Sequence, residues 1–130
     1  MKFDVSKFRT DDDLKTEGIW VELPGDARMK VASTSSAVFT SALLKAQKTY
    51  TAFGQEVPDD EQEKIMIDLL SRYVLLDWEN IFDGDEPFEY SQENARRVLE
   101  EIDFIRERVL KEARKLDNFK AQKREETEGN

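Results

Sequence analysis

The sequence predicts a mainly α protein in which a small N-terminal β-hairpin is followed by three helices, the last of them long. Two observations carry this. Apolar residues recur at three- and four-residue steps near 38–53 and 95–116, the spacing that gathers them on one side of a helix, and 65–78 is densely apolar. Ahead of them, a β-rich run, a turn signal and an alternating return make a hairpin at about 15–33. At 130 residues the chain has the size of one domain, so a single core is expected over 1–120.

Met1 to Leu14 places Phe3, Val5 and Phe8 among charges and ends in Asp11-Asp12-Asp13. It reads either as a short edge strand or as an arm that orders only against a partner. Glu17 to Leu23 is β-branched and aromatic, Pro24-Gly25-Asp26 is the turn, and Ala27-Arg28-Met29-Lys30-Val31 alternates apolar with basic. One face of the returning strand is therefore apolar and can lie on helices, while the other meets solvent.

Ser33 to Ser36 offers N-caps for a first helix at about 35–53, which Gly54 ends. Pro58 and the acids Asp59, Asp60 and Glu61 suit the start of a second, at about 59–79. Its dense apolar content, from Ile65 to Trp78, marks it as the central helix, covered on more than one side. Asp83-Gly84-Asp85 is the strongest turn signal in the chain, and Ser91 caps the last helix. That helix should run from 91 to about 119, on the order of 40 Å. A domain this small would leave its distal half, with Ile105, Val109, Leu116 and Phe119, to meet another molecule. Residues 121–130 are nearly devoid of apolar side chains and are expected to be a disordered tail.

Composition removes several function classes. Without cysteine or histidine there are no disulfides, no thiolate or imidazole zinc site and no Ser-His-Asp triad. No apolar run approaches the ~20 residues of a membrane span, and the start lacks a signal peptide's core. A soluble, unprocessed cytoplasmic protein is expected, with no membrane partner. The net charge of -9 comes from 20 basic and 29 acidic residues. The excess is central: residues 54–90 hold 2 basic and 12 acidic groups, while 91–130 hold ten of each. The arginines of the last helix are thus matched by acids and lack interleaved aromatics, so nucleic acid is not an expected partner.

The acidic loop fails as a calcium site. With Gly84 at the fixed glycine, Ile81 and Tyr90 stand where oxygen ligands belong. Asp77 with Glu79, or Asp83 with Asp85, are chance pairs among many acids, and the serine cluster is explained by capping. No catalytic residue, metal ligand or cofactor is expected. Trp20 and Trp78 read as core residues before hot spots.

The order of parts then resembles a family. A Glu-Gly-Ile-Trp-Val-Glu-Leu strand is followed by the return Pro-Gly-Asp-Ala-Arg-Met-Lys-Val and an apolar helix. An acidic second helix ends in Leu76-Asp77-Trp78-Glu79-Asn80, and a loop with Phe-Glu-Tyr-Ser leads to a long charged helix. Over about 15–119 this is similar to the tail assembly chaperones of long-tailed bacteriophages. The resemblance implies a non-enzymatic factor that binds the tape-measure protein and helps recruit tail-tube protein. It also implies self-association into helical or ring-like arrays, action in the host cytoplasm and absence from the mature virion. Many such chaperones are made in two lengths by programmed frameshift, and this chain is similar to the short one.

The surface expected to serve is the aromatic arm, Phe3 and Phe8, with the distal last helix, Ile105, Val109, Leu116 and Phe119. A small acidic regulator that mimics nucleic acid and binds a basic protein is the alternative, with residues 56–89 forming one acidic face. A third reading, a divalent-metal hydrolase centred on Asp83 and Asp85, would require metal-dependent stabilisation.

Overall fold

The computed structural model describes residues 1–121, so the tail expected at 121–130 lies, Ala121 apart, outside the described residues. After a 3₁₀ turn at Val5–Phe8, the elements are α1 (Asp12–Glu17), β1 (Ile19–Leu23), β2 (Ala27–Val31), α2 (Ala37–Thr51) and α3 (Asp59–Tyr73). Then come β3 (Leu75–Glu79), β4 (Phe82–Asp83), β5 (Glu86–Pro87), α4 (Gln92–Glu101), α5 (Asp103–Arg114) and a 3₁₀ turn at Leu116–Phe119. The expected mainly α fold with one hairpin is overturned. Among the described residues the fold is mixed, with a three-stranded sheet in the order β1-β2-β3 and a second sheet of β4 and β5 set among five α-helices.

The hairpin itself forms as the alternation requires. Leu23 pairs with Ala27 around Pro24-Gly25-Asp26, and Gly25 and Asp26 both have positive φ. Val21, Leu23, Ala27, Met29 and Val31 point into the core. On the outer face Arg28 lies 4.1 Å above the Trp20 ring and grips Glu79 with two hydrogen bonds, at 2.6 and 3.0 Å. That grip holds the Glu79 carboxyl below its usual range. Gly18, which closes α1, needs to be glycine: at φ 86° and ψ 172° a Cβ would stand 3.0 Å from the Val31 carbonyl.

The third strand replaces the end of the expected second helix. Helix α3 stops at Tyr73, and after Val74 the chain pairs antiparallel with β2, Met29 facing Trp78 and Val31 facing Leu75. The register slips between Lys30 and Val31. An extra residue in β3 changes the phase of its side chains, so Leu75 and Trp78, three apart, are both buried. Acids in its first turn favour the start of α3, which packs on α2, α4 and β3 and is central as expected.

The last helix is not a rod. It breaks at Ile102, whose backbone is extended (φ -120°, ψ 99°). Arg106 secures the break, donating to the Leu99 carbonyl at 3.0 Å and to Asp103 at 2.9 Å. The change of direction returns α5 to the sheet, where Val109 and Ala113 are buried and Arg108 donates to the Glu22 carbonyl of β1 at 3.2 Å. Beyond α5 the chain runs beside the N-terminal arm. Asp11 N–H donates to the Phe119 carbonyl at 2.8 Å, Ala121 N–H to the Arg9 carbonyl at 3.1 Å, and Phe119 is fully buried beneath.

Candidate protein-interaction surface

Five of the eight phenylalanines are exposed: Phe3, Phe8, Phe53, Phe82 and Phe104. A chain that buries its large apolar residues by preference leaves so many rings out only where its core cannot reach them, and groups of them mark contact surfaces. Phe3, Phe8, Phe53 and Phe82 fall, with neighbouring aliphatics, in three places, while Phe104 lies on α5.

The first is the arm. Asp4 caps the 3₁₀ turn at Val5–Phe8, accepting from the Ser6 N–H at 3.0 Å and the Ser6 hydroxyl at 2.7 Å. These bonds hold its carboxyl below the usual range. The turn brings Phe3 and Phe8 into a parallel stack with centroids 4.9 Å apart, at 77% and 56% exposure. Lys120 lies 5.0 Å above the Phe8 ring. The arm is thus clipped to the body through residues 9–11 while its aromatic pair faces outward.

The second is the outer surface of α2 and the residues just beyond it. Ser36 caps this helix by accepting from the Phe39 N–H at 3.1 Å, and of its residues only Phe39 is fully buried. Ala42, Leu43, Ala46 and Tyr50 are half-buried. Val38 and Leu44 are exposed, as is Phe53 just beyond the helix, and Leu44 lies with Lys45 and Lys48 along a shallow concavity.

The third is a groove of about 190 Å³ between the β4–β5 hairpin and the α4–α5 break. Trp78 forms its floor, donating to the Phe88 carbonyl at 2.7 Å, stacking on Phe88 and meeting Tyr90 edge-on. Phe82 and Ile102 stand exposed at its lip, with Asp83, Arg97 and Glu101 around them. The Tyr90 hydroxyl donates to the Leu75 carbonyl at 2.7 Å and fixes the segment behind the groove.

The expected surface is therefore redrawn. Phe3, Phe8 and Leu116 are exposed, Ile105 is half-buried and lines the groove, and Val109 and Phe119 belong to the interior. The correction has one cause: the break at Ile102 folds the distal half of the helix onto its own chain. Sequence reasoning missed Phe82 and Ile102, although Ile81, Phe82 and Phe88 flanking an acidic turn were a visible signal. The acids of 56–89 are divided, with Glu79 on the outer face of the sheet beside Arg28 and Asp68 bound to both Arg72 and Arg96. Asp83 and Asp85 sit at the hairpin turn. Among the described residues no group of three or more Asp, Glu, His or Cys is placed to hold a metal ion, and no helix is long and apolar enough to cross a membrane.

No curated protein and no solved structure matches the chain. A family model described as YdaY prophage protein matches residues 34–130. The chain belongs to that family and is phage-derived.

Proposed function

We propose that this member of the YdaY prophage family is a tail assembly chaperone, a non-enzymatic and cofactor-free factor. In this reading it binds the tape-measure protein in the host cytoplasm, helps bring tail-tube subunits to it, self-associates along it and is absent from the mature virion. The observation that carries the reading is the set of exposed phenylalanines on an otherwise strongly charged body. Phage origin supports it further.

The outer surface of α2, with the residues just beyond it, is the client surface. Leu44 and Phe53 offer apolar contact, while Lys45 and Lys48 keep that surface soluble and orient an acidic or amphipathic client helix. Burying two such side chains supplies roughly 3–6 kcal/mol, a large part of which the loss of translational freedom on association offsets. Contact by one copy is weak and reversible. Many copies arrayed on one client hold it by avidity and still release it when the tube assembles.

Co-expression with the tape-measure protein encoded by the same prophage tests this. The wild-type chain should bring that protein into the soluble fraction, and Leu44→Glu/Phe53→Glu should reduce the soluble yield severalfold without changing the circular dichroism of the chaperone. A tape-measure protein equally soluble, or equally insoluble, with and without the wild-type chain would refute the reading.

A further inference from the structure

We infer that the N-terminal arm of one copy docks in the hairpin groove of the next, the Phe3–Phe8 pair serving as the knob and the space above Trp78 as the socket. Knob and socket are both present in one chain, and among the described residues both stay accessible. Phe3 and Phe8 are exposed and are not among the residues that line the groove. Residues 9–11 hold the arm against residues 119–121, so the pair is presented outward from its own subunit.

Size and charge point to the same occupant. An apolar cavity of about 150 Å³ is enough to take a benzene ring. The groove, at about 190 Å³, takes one phenyl ring of the pair, with the second left to lie across Phe82 and Ile102 at the lip. Arm residues 1–9 carry Lys2, Lys7 and Arg9 against the single acid Asp4. The hairpin at 82–90 carries Asp83, Asp85, Glu86 and Glu89 with no basic residue, and Glu101 adds to the rim; Arg97, 5.7 Å from the Phe88 ring, is the one cation among the described residues that line the groove. Opposed charge steers the arm toward this side of a neighbour, and the aromatic anchor in a pocket supplies the attraction.

Because the two surfaces differ, the contact is heterologous. Each docked copy leaves one arm and one groove free, and association propagates instead of closing as a two-fold dimer. This inference rests on the self-associating part of the function proposed above, not on the identity of the client.

Sedimentation velocity of the purified full-length chain at rising concentration tests it. The wild type should pass through dimer to larger species. Phe3→Ala/Phe8→Ala and Phe82→Asp should each associate roughly 10- to 100-fold more weakly, as expected for a lost hot spot. All three substituted rings are exposed, so the circular dichroism should be unchanged; Glu101→Lys, on the rim, provides a second groove variant that removes no packing. An equimolar mixture of the arm and groove variants contains one intact knob and one intact socket, and should stop at a dimer. A monomeric wild type, undiminished association in either variant, or a mixture that remains monomeric would overturn the inference. Client solubility is read separately, in co-expression, so failure here is distinguishable from failure of the chaperone reading.

Discussion

The Tyr90 hydroxyl joins the segment before α4 to the first residue of β3, and its ring supports Trp78. Removing the hydroxyl with Tyr90→Phe should cost about 1 kcal/mol in chemical denaturation at neutral pH, the net worth of one such bond. Burial, with a smaller contribution from the negative charge of Asp77, raises the pKa of this phenol above its usual value. A folded-state value above the unfolded one contributes stability that is complete below about pH 10 and is lost as pH rises through the folded value. The difference between wild type and Tyr90→Phe should therefore shrink above pH 10, and a difference constant from pH 8 to 11 would contradict the assignment. At this scale the sequence was informative. Ser36 and Ser91 cap helices as their type suggests, accepting from Phe39 and Asn94, and Gly25 and Gly84 lie in turns with positive φ.

Elements were legible where local pattern alone decides them. The hairpin follows from period-two alternation around Pro-Gly-Asp, and α2 from its caps and spacing. The third strand was hidden because the bulge buries Leu75 and Trp78 three residues apart, a helical interval that continues the pattern of α3 without interruption. The break at Ile102 was hidden for a related reason. Val98, Ile102, Ile105, Val109 and Ala113 keep three- and four-residue steps across it, and no glycine or proline marks it. Tertiary contact with the sheet, not local preference, turns the chain there. Phe119 is the anchor at the far end, fully buried where the two termini are paired. Phe119→Ala should cost about 3–5 kcal/mol, the range for deleting a buried aromatic. Limited proteolysis should then cut first within residues 1–9, since the arm loses the segment to which it is clipped; an arm as protected as in the wild type would refute the clip.

For the molecule as a whole, one core is built from the inner face of the sheet and the helices α2, α3, α4 and α5, and it is too small to cover every ring the sequence carries. The candidate surface was only half legible for that reason. The aromatic arm could be named from Phe3 and Phe8 among charges, but the groove exists only after the β4–β5 hairpin folds beside the break at Ile102. Hydrogen–deuterium exchange tests most directly whether these uncovered patches are the working surface. The chain alone at low and high concentration should gain protection at residues 1–9 and 81–105 as concentration rises, and, when co-purified with the tape-measure protein, at 37–53. Protection confined to the charged outer face of the sheet, around Trp20, Arg28 and Glu79, would contradict the account.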